Sequence, residues 1–404
     1  MQLHHLYKTL ISFLIFPVCI QAQTAIRAAT IHTVSGPAIK NGIILIKDGK
    51  IEAIGTEEQV QIPTHYSIIR AAVVTPGLID ARSVVGLSGP LNIPTDQDQL
   101  EKSSPIQPEL RAIDAYNTDD MLVKYVRDNG VTVLHTGHGI GALVSGQTMI
   151  VKTKPGTVDH VTLVPAAMLA MTIGPSVQGN FSSPGTKAKQ IAILRSEFIK
   201  AQAYYKKMND KDSSKHPSRD LKYEMLAKLL SHQMKALITA NASNDIMSAI
   251  RLSREFNFQL VIDGAAEAYR LIDEIRSAGA EIILHATMAR NGGDMVNMTR
   301  ESAAILTRAG IPVSIESGYE AYVPKTRVIL WEAAQAVANG LPYEEGIKAI
   351  TLNPARLLGL DKRVGSIEKG KDADLVLYTG DPFEYLTKVC KVMIDGEWVS
   401  NLCD

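Results

Sequence analysis

The sequence has little cysteine, no excess of either charge and, outside its first residues, no two histidines spaced one residue apart. Of its 404 residues three are cysteine; Cys19 falls in an N-terminal leader, which leaves Cys390 and Cys403. Neither sits in a Cys-x-x-Cys pattern, so a cysteine metal site is not indicated. In an oxidising compartment the two could pair and tie down the tail. Lys plus Arg and Asp plus Glu both number 42, giving zero formal charge. That removes the basic excess on which nucleic-acid binding rests. Of the ten histidines, His4 and His5 fall in the leader. Neither lysine nor glutamate occurs from Pro155 to Thr186. Past the leader, no run has the length of a membrane span.

What is present is ordinary for a globular chain: 46% hydrophobic and 21% charged residues. The length suits one large domain with a smaller one. Residues 1–22 read as a signal peptide. Lys8 gives a modest positive start, 10–20 is an apolar run too short to span a bilayer well, and Ile20-Gln21-Ala22 resembles a small-residue cleavage site. A membrane anchor, or a lipoprotein attached through Cys19, is the alternative, but Val18 is a poor residue for that processing. The expectation is cleavage after Ala22 and export to a periplasmic or extracellular location, with no membrane contact afterwards.

The chain is organised around residues 73–87, Val-Val-Thr-Pro-Gly-Leu-Ile-Asp-Ala-Arg-Ser-Val-Val-Gly-Leu. Pro76 fixes φ and Gly77 permits a sharp turn into a buried strand over 78–84. Upstream, 25–34, 42–47, 50–55 and 66–74 read as strands, with an Asp48-Gly49 hairpin turn. Downstream, 373–378, 387–393 and 397–400 are similar, with an Asp395-Gly396 turn. Between them strands and helices alternate, which argues for a parallel α/β arrangement. Helices are expected over 110–129, 185–207, 221–231, 244–256, 267–278, 298–309, 327–338 and 343–351. Strands are expected over 131–134, 162–165, 235–240, 258–263, 281–285 and 312–316.

The run Pro76-Gly77-Leu78-Ile79-Asp80 resembles the first barrel strand of the amidohydrolase superfamily, and most closely its imidazolonepropionase-like branch. Residues 109–115 resemble that branch's helix after the first strand. Thr351-Leu352-Asn353-Pro354-Ala355-Arg356, followed by 364–367 and 370–376, resembles its C-terminal signature. The resemblance implies an α/β fold, a (β/α)8 TIM barrel over 75–360. It implies a small β-sandwich built from both termini, 23–74 and 361–404. It also implies metal-dependent hydrolysis of non-peptide C–N bonds, in cyclic amides or related compounds. A divalent ion there lowers the pKa of its water and polarises the substrate carbonyl.

The ligand positions do not follow the family. Its first-strand pattern ends in His-x-His, and here those places hold Arg82 and Val84. A guanidinium has no lone pair to give, and valine has no donor atom. The later His-x-His aligns with Thr239 and Asn241, the next histidine with Gly264 and the last-strand aspartate with Gly318; a slip could bring Asp263 or Glu316 into play. Candidate pocket residues are Asp80, Arg82, His135, His138, Asn241, His285 and Glu316. Asp80, at a position that supports the ligands in the family, could pair with Arg82 or satisfy backbone groups. His135, His138 and His285 have enough nitrogens for a new zinc site; the bland reading is local hydrogen bonding. Gly137-x-Gly139-x-Gly141 lacks dinucleotide spacing; its N–H groups could hold an anion, and Arg82 would favour a carboxylate. Residues 88–108 could form a lid or a solvated connector.

The expected function is an exported superfamily member without a working metal site and with no cofactor, acting as a binding or regulatory subunit. A small-molecule ligand is possible, as is a homo-oligomer or a hetero-oligomer with a related amidohydrolase. The alternative is an active amidohydrolase with zinc in a site rebuilt from His135, His138 and His285. A purely structural exported protein is the third possibility.

Overall fold

The structure, a computed structural model, describes residues 23–91, 93–319 and 326–403. The segment 1–22, expected to be a signal peptide, lies outside them. The strands are β1 (Thr24–Ile31), β2 (Ile39–Lys47), β3 (Lys50–Thr56), β4 (Ser67–Pro76), β5 (Leu78–Ser83) and β6 (Val131–Thr136). Next come β7 (Val144–Gln147), β8 (Met149–Lys152), β9 (Thr162–Val164), β10 (Met168–Thr172), β11 (Lys235–Ala240) and β12 (Leu260–Gly264). Last are β13 (Glu281–Leu284), β14 (Val313–Ile315), β15 (Leu375–Tyr378), β16 (Val389–Ile394) and β17 (Glu397–Asn401).

Strands from the two ends of the chain meet edge to edge in one sheet ordered β17-β16-β15-β4-β1-β2-β3. The Asp48-Gly49 turn has both residues at positive φ, 50° and 73°, which suits a tight hairpin. Ile26, Ile44, Ile46, Val74, Leu375, Leu377 and Met393 form its buried apolar face. Cys390 and Cys403 are disulfide-bonded, with Cα atoms 4.9 Å apart, so the tail is fastened to the edge of this sheet.

The other strands form a ring. β5 and β6 are parallel, and β10 to β14 run parallel in chain order. β8 pairs antiparallel with β6, and β7 antiparallel with β10. Since only Thr148 separates β7 from β8, 144–152 is one extended run filling a single strand position. A parallel bridge between Ser83 and Gly318 closes the seam between first and last strands. The antiparallel member departs from the eight parallel strands expected. A parallel return needs a crossover of about a dozen residues or more. The link from β6, residues 137–143, is too short for that, so the chain turns straight back.

Most expected elements are present within a few residues. The helix expected over 110–129 is confined to Met121–Asp128, because the Asp120 carboxylate caps it by accepting from Leu122 N at 2.8 Å. The helix expected over 267–278 is broken into a 3-10 turn, Ala268–Arg270, and a helix, Ile272–Ala278. β10 was not anticipated. Its neighbourhood has a weak helical or strand period, and its pairing with β11 decides it.

The ring and the terminal sheet are joined through a buried cation. Lys152, on β8, is 2% exposed. Its Nζ donates to Asp372 at 2.9 Å, to Asp374 at 3.0 Å and to Asp395. Lys154 and Arg363 add bonds to Asp395 and Asp372, 2.9 and 2.8 Å. Burial works against the charge on Lys152, but Asp374 and Asp395 more than offset it and hold its pKa above the ordinary value. Lys152→Met leaves buried carboxylates unpaired and is expected to lower unfolding free energy by roughly 3–5 kcal/mol. Lys154→Met, on a more exposed side chain, should cost about 1 kcal/mol or less. Urea denaturation of both variants checks the difference.

Candidate functional site

Alternate residues of a strand share one face. Inside the ring, Ile79, Val133, Ile150, Ala81, Met168, Leu237, Val261 and Ile283 make an apolar layer. Two residues further along the same strands, on the same face, come His135, Thr239, Asp263 and His285; Glu316 follows Ser314 in the same way. A polar layer therefore caps the apolar one at the C-terminal ends of the parallel strands, where this kind of barrel places its reactive groups.

Arg82 lies in an irregular part of β5, where the pairing register shifts between Asp80 and Ser83. It is 4% exposed and donates to the Ser83 carbonyl at 3.2 Å and to the His138 carbonyl. Asp80, fully buried, accepts from Ser317 N at 3.0 Å, from the Ser317 hydroxyl and from the backbone N–H of Arg82 at 3.3 Å. It thus ties the first strand to the last. Burial pushes its pKa up to about 6, against the pull of the Ser317 bonds.

His135 has both ring nitrogens in use. Nδ1 faces the Ala81 carbonyl at 2.7 Å and must carry the proton; Nε2 faces the Thr148 hydroxyl at 2.7 Å. Burial and the Arg82 charge push its pKa down to about 3. The same two causes bring His138 to about 4, its ring lying against Gly146. His285 donates from Nδ1 to the Ala286 carbonyl at 2.9 Å, and its buried Nε2 meets no protein partner. Burial keeps this ring neutral by lowering its pKa.

Glu316 faces Asp263, a residue missed among the sequence candidates. Burial first, and then the Asp263 charge, hold the Glu316 carboxyl well above the usual carboxylate range. Thr239 donates its hydroxyl to Asp263 Oδ2, and Asp263 Oδ1 meets no protein partner. The available signal was spacing: Asp263 lies two residues past inward-facing Val261.

Above this layer is a cavity of about 100 Å3 lined by Thr239, Asn241, His285, Glu316, Tyr319 and Arg327, with Ile140, Ala289 and Met295 as apolar wall. Of the sequence candidates it brings together Asn241, His285 and Glu316. Asp80, Arg82, His135 and His138 are packed beneath or beside it. Two expectations are corrected here. Arg82 is committed to two carbonyls and does not face the cavity as a carboxylate receptor. The glycine loop does not hold an anion through its N–H groups. Gly137, Gly139 and Gly141 donate to Ser83 O at 3.3 Å, Gln99 O at 2.5 Å and Thr172 Oγ1 at 3.0 Å. Within 88–108, residues 93–95 and 101–103 are exposed, and hydrogen bonds tie the rest to the body. Gln99 donates to the Tyr319 hydroxyl at 3.2 Å, and Gln107 N bonds the Val144 carbonyl at 2.9 Å, fastening the segment over the mouth.

Arg82 and Val84 stand at the two positions that the sequence resemblance gives to first-strand ligands, and both ring nitrogens of His135 are engaged. Among the described residues no three His, Cys, Asp or Glu side chains converge as a metal site. The rebuilt site of His135, His138 and His285 is thereby corrected: the three are not assembled around one point.

Residues 141–399 match the family described as Amidohydrolase family. The chain is 25% identical over 389 residues to amidohydrolase tasK of Hapsidospora irregularis, covering 88% of this chain and 39% of that protein, so it spans well under half of that relative. It is 22% identical over 423 residues to imidazolonepropionase of Legionella pneumophila (strain Corby), covering 94% of this chain and 99% of that one. The crystal structure of an amidohydrolase from Thermotoga maritima MSB8 superposes with TM-score 0.88 at 28% identity, covering 94% of this chain and 100% of the other.

Asp80 yields a pH test. Its folded pKa, about 6, lies above the ordinary 3.8, so the native state keeps a proton that the unfolded chain releases. The stability from that proton is complete below the unfolded pKa and is lost as pH rises through the folded one. Between those values the unfolding free energy of wild type is expected to fall by roughly 2–3 kcal/mol more than that of Asp80→Asn. Urea midpoints across that range measure it.

Proposed function

This chain belongs to the amidohydrolase family, and we propose that it serves there as an exported binding or regulatory subunit in which metal-dependent C–N bond hydrolysis is lost. Arg82 carries the reading. It stands where the family resemblance places a ligand to the ion, and it is a buried cation held by two backbone carbonyls. A doubly charged ion ~4 Å from that guanidinium is opposed by about 8 kcal/mol at an effective dielectric of ~20. The repulsion alone offsets much of the ~10–16 kcal/mol that a full ligand set contributes for zinc. Here the set is also depleted. The cavity above keeps the position, at the C-terminal ends of the strands, that suits small-molecule binding. Export rests on the leader, and a related amidohydrolase in the same compartment is the natural partner for a regulatory role.

The test is metal analysis and activity of the purified mature chain. It is expected to contain far less than one equivalent of divalent metal, and added Zn2+ should elicit no hydrolysis of cyclic amides or dipeptides. A stoichiometric ion lost on Glu316→Gln, with turnover that follows it, sinks the reading. Restoring the family pair with Arg82→His and Val84→His together should raise zinc affinity at least ~10-fold, about 1.4 kcal/mol.

A further inference from the structure

The polar layer is unbalanced in charge and in hydrogen-bonding sense. Arg82 is its one cation beside three carboxyl groups, Asp80, Asp263 and Glu316, all at most 5% exposed. One guanidinium against three carboxyl groups favours positive charge in a ligand. The free atoms are all acceptors. His285 is 2% exposed, its Nδ1 proton is given to Ala286, and Nε2 turns a bare lone pair into the cavity that His285 lines. Asn241 donates from Nδ2 to Asp294 at 3.0 Å, leaving Oδ1 buried and without a partner beside Gly264. A buried acceptor left unpaired costs about 1–3 kcal/mol, so two lining one cavity call for a ligand that donates. Arg327, on the rim, is met by Glu332 at 3.8 Å. The apolar wall of Ile140, Ala289 and Met295 suits a short hydrocarbon body.

We propose that this cavity binds a compact organic cation carrying N–H donors, a protonated alkylamine or an amidinium, with His285 Nε2, Asn241 Oδ1 and the Glu316 carboxyl group as its acceptors. The proposal rests on the metal-free reading above, because a divalent ion would claim the same carboxyl group. The charged and titratable groups facing Glu316 are Asp263, Asp80 and Arg82, with His285 and Arg327 on the cavity wall.

Calorimetric titration of the mature chain with isobutylammonium and acetamidinium chlorides tests this, against isobutanol, acetamide, sodium acetate and KCl. Saturable binding of at least one organic cation at pH ~7 is expected. Glu316→Gln and Asn241→Leu should each weaken it at least ~10-fold. The inference is overturned if neutral isosteres, acetate or K+ bind as tightly as the organic cations. It is also overturned if no cation gives saturable heat with a metal-free chain whose unfolding transition is intact. A stoichiometric metal in the purified protein defeats instead the reading on which it rests.

Discussion

A charge inside a folded chain must be met by partners it cannot leave, since its desolvation costs several kcal/mol. Two buried cations in this protein, Arg82 and Lys152, obey that constraint in opposite ways. Lys152 is over-supplied with carboxylates, and the surplus is shared with Lys50, Lys154 and Arg363. The result joins ring to terminal sheet. Arg82 spends its donors on main-chain carbonyls, so the carboxyl groups near it are left to manage their own charge. Burial raises their pKa values, that of Asp80 to about 6 and that of Glu316 with the Asp263 charge adding to the rise.

Much of the fold was legible in the sequence because it rests on local chemistry. The Pro76-Gly77 entry, the Asp48-Gly49 hairpin, the strand–helix alternation and the C-terminal signature each depend on few residues, and each pointed the same way. The direction of the antiparallel run 144–152 was not legible. It depends on how short the preceding loop is against the reach of a crossover, which no residue type announces. The helix expected over 110–129 failed because its apolar period continues past the point where Asp120 offers a cap and the first half packs as loop.

The site was half legible. Of the sequence candidates, Asn241, His285 and Glu316 do reach one cavity. Arg82 and His135 do not, because residues near a strand end are separated by layer as well as by sequence. Asp263 was visible only as the product of a one-residue slip, and its pairing with Glu316 joins strands two places apart in the ring. Lys152 gave no signal, since its three carboxylate partners lie more than two hundred positions away.

The terminal sheet has a consequence for biogenesis. β4 gains its second neighbour only when β15 arrives, with Pro76 opposite Leu375. A nascent polypeptide emerging from the ribosome, or threading through a translocase, must carry an open sheet edge almost until its last residues are delivered. Such an edge is a template for wrong pairing. Quality control of this protein therefore falls late, on whether the final strands dock, and a premature stop a few dozen codons early would yield an adhesive fragment instead of a weakened one.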